Sequence, residues 1–133
     1  MTTSELAEFG RLKAAIIALE ERKDALIVSA TSATHELKED AGGGKGITSD
    51  IVGIKGSAIA DIERMIAQKK WEMEVRLESI VQYLSQVNDD IIFTAMTLHY
   101  IDGLTWNSTA QKIGGNTADS LRMEVKRYVK AHP

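Results

Sequence analysis

Apolar residues recur at alternating three- and four-residue steps along two long stretches of this chain, and its only proline is residue 133. Such steps mark a helix that packs lengthwise on a second helix. With no internal proline, nothing removes a backbone donor along either stretch. The first seam is Phe9, Leu12, Ile16, Leu19, Leu26, Ala30 and Ala33, with Lys23 as its one charged intruder. Ser4 is placed to cap a helix that starts near Glu5 and runs to Lys38 or Glu39, roughly 50 Å at 1.5 Å per residue. The second seam is Ile59, Ile62, Ile66, Met73, Leu77, Ile80, Leu84 and Val87, with Lys69 and Arg76 close to it and Trp71 and Tyr83 on its flank.

Between them, Ala41 to Gly56 holds six of the ten glycines and shows no helical period, so it reads as a flexible connection. Its GGGKG run does not make a phosphate loop. That motif needs Gly-Lys-Ser/Thr opening a helix directly after a strand, whereas Lys45 is followed by Gly46 and preceded by helix. Two helices of similar length joined this way bury their stripes against each other as an antiparallel hairpin. Two stripes alone make a thin core. Either the C-terminal helices dock on it, or a second chain does, and a two-fold dimer is the commonest such solution.

The last third changes character. Asn88 is placed as an N-cap with Asp89 and Asp90 in the first turn, and the helix carries Ile92, Met96 and Leu98 toward Tyr100. Asp102 and Gly103 break it, Thr105 caps a helix of about two turns over Trp106–Ile113, and Gly114-Gly115 ends that one. Asn116 or Thr117 caps a final helix with Leu121, Val125 and Val129 at four-residue spacing. A two-turn helix is marginal alone, so it must be held between its neighbours, with Phe93 and Trp106 as candidates for the small core beneath. The whole is an all-α chain: a long, coiled-coil-like antiparallel hairpin over residues 1–87, then a helix-turn-helix over 88–133.

Charge separates the two parts. From Leu104 onward five Lys and Arg oppose Asp119 and Glu124, a net of +3, whereas residues 1–103 carry eleven positive against seventeen negative, a net of −6. A basic helix on an otherwise acidic chain is the electrostatic footprint of phosphate contact. The chain has no cysteine, so disulfides and thiolate metal sites are excluded. His35, His99 and His132 lie far apart with no metal-ligand spacing, and no nucleophile stands beside a base, so an enzyme is not expected and neither a metal nor a cofactor is implied. No apolar run approaches a membrane span and no signal segment opens the chain, which points to the cytoplasm.

YIDGLTW at residues 100–106, followed by GGNTADSLRMEVKRYV at 114–129, resembles the C-terminal element of sigma-factor region four. More closely it is similar to small phage-encoded regulators of the RinA/ArpU kind, which share a helical N-terminal half, a glycine-rich middle and a tail helix-turn-helix. The specific match covers about residues 96–131. Within it Gly103 matches the turn glycine, and Tyr100, Leu104, Trp106, Ala110 and Ile113 match the small core. Thr109 stands where Ile or Val is commoner, and the Gly114–Thr117 turn is longer and richer in glycine than the sigma-type turn. The resemblance implies a cytoplasmic phage or prophage protein of a bacterial host that acts on transcription, typically of late genes.

With Leu121, Val125 and Val129 inward, the final helix turns Asn116, Asp119, Ser120, Arg122, Met123, Lys126, Arg127 and Lys130 outward. The first residues of a recognition helix meet base edges and later basic ones meet phosphates. Thr117, Ser120, Arg122 and Met123 are therefore assigned to base edges of double-stranded DNA. Lys126, Arg127 and Lys130 take phosphates, helped by Lys112. The expected assembly is a homodimer or higher homo-oligomer. Two other readings stay open: a small terminase-like DNA-packaging protein, and a protein-interaction module that contacts host RNA polymerase.

Overall fold

The computed structural model describes the backbone of residues 1–39 and 45–133, and the side chains outside 32–52. Five α-helices account for most of it: α1 Thr3–Glu39, α2 Lys45–Leu84, α3 Asp90–Met96, α4 Trp106–Ile113 and α5 Ala118–Ala131. A π-helical turn over Thr97–Ile101 continues α3. Among the described residues there is no strand, and no helix is long and apolar enough to cross a membrane.

Helix α1 begins two residues earlier than Ser4 would place it. Thr2 is the cap: its Oγ1 accepts from the Glu5 backbone N–H at 3.1 Å, and Glu5 Oε2 accepts from the Thr2 N–H at 2.8 Å. This reciprocal box satisfies two donors that a helix start otherwise leaves unmet. Helix α2 also departs from expectation, because residues 45–56 are helical rather than part of a connecting loop. Each glycine there costs roughly 1 kcal/mol relative to alanine, but extending an established helix is cheap compared with nucleating one. Gly53 and Gly56 have open space around them, so no tight turn is built on either. Residues 41–44, and the side chains of Ile47, Ile51 and Val52, lie outside the described residues. Helix α2 ends at Leu84 rather than Val87, and Asp89 rather than Asn88 caps α3, accepting from the N–H groups of Ile91 and Ile92.

The chain forms two compact units that do not divide at residue 87. A middle unit spans Ala14–Trp71, and a terminal unit joins Met1–Lys13 to Glu72–Pro133. In the middle unit α1 and α2 run antiparallel, with Glu20 facing Lys70 at 3.5 Å and Ser29 facing Lys55 at 2.6 Å. Ile16 and Ile66 are buried there, and Leu19, Lys23 and Leu26 are half-buried along the seam. Half-burial suits a lysine at a seam position, since its four-carbon stem can cover apolar surface while its charge stays in water. Trp71, expected to cover the seam's flank, is instead 62% exposed.

In the terminal unit the first turns of α1 and the last turns of α2 form a platform for the C-terminal helices. Leu6, Phe9, Ile80 and Leu84 share one core with Ala95, Met96, Tyr100, Ala110, Leu121, Val125 and Val129. Glu8 pairs with Arg76 at 2.6 Å, which ties the two long helices together at this level. Lys13 reaches from α1 to the Ile101 carbonyl at 3.2 Å, meeting an acceptor left open where the π turn ends. Phe93 is not in this core; it is exposed.

One core residue is mismatched. Thr109 is fully buried and its Oγ1 has no hydrogen-bond partner. An unmet buried hydroxyl costs about 1–3 kcal/mol, and valine has nearly the same shape without it. Thr109→Val should raise stability by about 1 kcal/mol and the melting midpoint by roughly 4–8 °C, measured by thermal circular dichroism. No change, or a loss, would show that the hydroxyl is satisfied in solution.

Candidate nucleic-acid interface

Helices α3, α4 and α5 pack on one another, and the order of caps and glycines explains how. The π turn after Met96 widens the helix by one residue, closing with the Asp102 N–H on the Thr97 carbonyl at 3.1 Å. Gly103 then takes φ 76°, a left-handed conformation that costs glycine little. Thr105 caps α4 as its position implied, accepting from the Ser108 N–H at 3.1 Å. Gly114 and Gly115 follow with φ 76° and 72°, and Thr117 caps α5 by accepting from the Ser120 N–H at 3.1 Å. Of the two candidate caps, Thr117 is the one used.

The entry to α4 is clamped by aromatic rings. His99 stacks on Trp106 with centroids 3.9 Å apart and planes 19° from parallel, and Tyr100 meets both rings edge-on. His99 Nδ1 lies 2.7 Å from the Leu104 carbonyl, so the neutral ring with its proton on Nδ1 donates there. Burial of the ring lowers its pKa, and the Leu104 hydrogen bond only partly offsets this. The folded protein thus favours neutral His99, and the unfolded chain binds the proton more readily. Stability from this site is complete above the ordinary histidine value of about 6.5 and is lost as pH falls through the lowered folded value. Denaturant melts between pH 7 and pH 5 should show the midpoint falling, and His99→Phe should flatten that fall. An equal fall in the variant would place the acid sensitivity elsewhere.

At the far end of α5, Tyr83 donates from its hydroxyl to the His132 carbonyl at 2.7 Å, and Tyr128 stacks on His132 at 4.1 Å. Burial, and then the neighbouring Tyr128, push the Tyr83 phenol upward, so it stays a donor. Both ends of α5 are therefore held, one by a hydroxyl cap and one by an aromatic cluster.

Between those ends, Leu121, Val125 and Val129 are buried as their spacing requires. The opposite arc carries Arg122, Met123, Lys126, Arg127 and Lys130, all exposed, with Asp119 as the acid among them. Glu124 is half-buried at the margin. Helix geometry alone gathers these cations: at 3.6 residues per turn, positions 122, 126 and 130 form one row and 123 and 127 the next. Arg122 lies 3.7 Å from Asp119, an exposed pair of the kind that contributes little to stability.

Of the residues singled out from sequence, six stand on α5 and Thr117 is its cap, its oxygen engaged in capping. Ser120 is half-buried beside that cap. Lys112 stands on the last turn of α4 and is exposed. Sequence reasoning missed Asp119 as the partner of Arg122, although their three-residue spacing permits it. It also missed Lys13, and no pattern in the first helix signals that its lysine closes the π turn. Among the described residues no group of three or more metal-ligating side chains gathers. No protein-family model, no curated protein and no solved structure matches this chain.

Proposed function

We propose that this chain is a sequence-reading DNA-binding protein of a phage or prophage, and that it regulates transcription by laying α5 in the major groove. The observation that carries this reading is the outward arc of α5, where Arg122, Lys126, Arg127 and Lys130 stand exposed on a short helix fixed at both ends. A groove-reading helix needs such rigidity, because base contacts discriminate only when the side chains are held in register. The order of elements supports the reading as well: α4 packs on α5 and is joined to it through two positive-φ glycines, a connection compatible with a helix-turn-helix. The chain acts here by binding and needs no cofactor.

Roles divide along the helix. Arg122, in its second turn, is positioned for a bidentate contact with guanine, while Thr117, Ser120 and Met123 flank it at base edges. Lys126, Arg127 and Lys130 meet phosphates, with Lys112 on the neighbouring helix. The test is selection of a random duplex library by the purified protein at physiological salt, run beside Arg122→Ala. An enriched motif that loses one position in the variant is the expected outcome, with a discrimination loss equivalent to about 1–3 kcal/mol. Binding that falls steeply with salt but enriches nothing would transfer the chain to packaging or architectural use. No affinity for DNA would leave α5 as a surface for a protein such as RNA polymerase.

A further inference from the structure

Asp119 interrupts the cationic arc of α5 where that arc begins. Viewed down the helix at about 100° per residue, it stands within about 20° of both Lys126 and Lys130. Arg122, about 60° to one side, brings a guanidinium nitrogen to 3.7 Å from Asp119 Oδ1. The Asp119 side chain is 92% exposed, so it packs against nothing, and among the described contacts Arg122 is its one partner. Thr117 already supplies the oxygen that caps this end of α5. The fold gains only the small benefit of an acid in a first helical turn and of an open ion pair.

Charge decides where such an acid can lie on a duplex. Phosphates line both edges of the major groove, and a carboxylate beside one weakens binding where a lysine strengthens it. The line that carries Lys126 and Lys130 to phosphate must therefore bring Asp119 past the phosphates, over the base edges. There guanine and thymine present acceptors, which repel a carboxylate, while cytosine presents an exocyclic amine. Adenine has an amine too, but its N7 acceptor lies beside it. Cytosine is the base that suits Asp119.

We propose that Asp119 is a specificity-determining residue of α5, which reads cytosine beside the guanine read by Arg122. This deepens the DNA-binding reading and rests on it. The two side chains serve each other. A guanidinium has five N–H donors, so contact with Asp119 leaves a two-donor edge for guanine O6 and N7. Held from the side, Arg122 loses part of its freedom before binding rather than during it. Asp119 also repels phosphate, which weakens the hold of α5 on any duplex that offers the carboxylate no amine. Discrimination comes from both effects, a contact made on the right sequence and a repulsion left on the others.

The test selects a random duplex library with wild type, Asp119→Ala and Asp119→Asn. Fluorescence anisotropy then compares the selected duplex with a mixed-sequence one at about 0.1 M salt. Wild type should enrich a motif with cytosine, on either strand, next to the guanine whose preference Arg122→Ala removes. Asp119→Ala should reduce that cytosine preference roughly tenfold and raise affinity for the mixed-sequence duplex several-fold. Asp119→Asn should move the preference from cytosine to adenine, because a side-chain amide pairs with adenine N6 and N7. The thermal midpoints of both variants should stay close to that of wild type. An acid with a merely structural role would lower the midpoint and weaken all sequences alike, with the motif unchanged, and that result overturns the inference. A wild-type motif without cytosine at that place overturns it as well. If wild type enriches no motif, the DNA-binding reading falls and this inference with it; a motif shared by wild type and both Asp119 variants overturns this inference alone.

Discussion

Leu6→Ala, at the start of α1, is expected to destabilise helices α3 to α5 strongly. Leu6 is fully buried and shares a core with Leu121, Val125 and Val129 on α5. Removing a buried leucine side chain costs about 2–5 kcal/mol, transfer and cavity together. A domain has only about 5–15 kcal/mol in hand. The site has little room to relax, because Ile80, Met96 and Leu121, which belong to the same core, are themselves fully enclosed. The reporter is Trp106 fluorescence in a Trp71→Phe background, since Trp71 is exposed and Trp106 packs against the same core. Its unfolding midpoint should drop by at least about 10 °C, taking about 4–8 °C per kcal/mol for a domain of this size. Val28→Ala, on an exposed position, should leave it within about 0.5 kcal/mol. If Leu6→Ala left the Trp106 transition in place, α3 to α5 would be an independent domain after all.

If α5 meets DNA as proposed, Lys126→Glu with Lys130→Glu should weaken that binding by about a hundredfold or more while leaving stability almost untouched. Both side chains are exposed one turn apart on α5, and no hydrogen bond or ion pair of the fold depends on them, among the described contacts. Each phosphate contact contributes about 0.9 to the slope of log affinity against log salt. Losing two contacts at about 0.1 M salt weakens binding on the order of a hundredfold, and reversing the charge adds repulsion to that loss. Fluorescence anisotropy on a mixed-sequence duplex over a salt series would measure both quantities. A variant with an unchanged slope would show that the cations face solvent, and the proposed orientation of α5 would be wrong.

Local signals in the sequence carried the C-terminal helices well. Thr105 and Thr117 cap, Gly103 and Gly114 turn, and Leu121, Val125 and Val129 point inward, each for a reason confined to a few neighbouring residues. The same locality explains the seam of α1 and α2. What stayed hidden depends on contacts across the chain. Leu6 falls one residue off the heptad seam, so the pattern gave it no partner; it faces the C-terminal helices, not α2's seam alone. Trp71 read as cover for the seam's flank and Phe93 as core, yet their helical positions turn both outward. The glycines at 53 and 56 suggested a loop because single-residue cost is visible in sequence, while the cooperativity that carries a helix through them is not. The face of α5 was legible as a cationic arc, but not its link to Asp119.

The docking of α1's first turns under α5 also sets an order of events during synthesis. Phe9 leaves the ribosome about 120 residues before Val129, its core companion. At about 5–20 residues per second this is an interval of about 6–24 s. Throughout it the side of α1's first turns that meets α5 has no permanent cover, and the terminal unit cannot close until α5 arrives. A chain cut short before α5 therefore keeps Leu6 and Phe9 open to chaperones and proteases. Synthesis of α5 becomes a condition for survival of the turns that precede it.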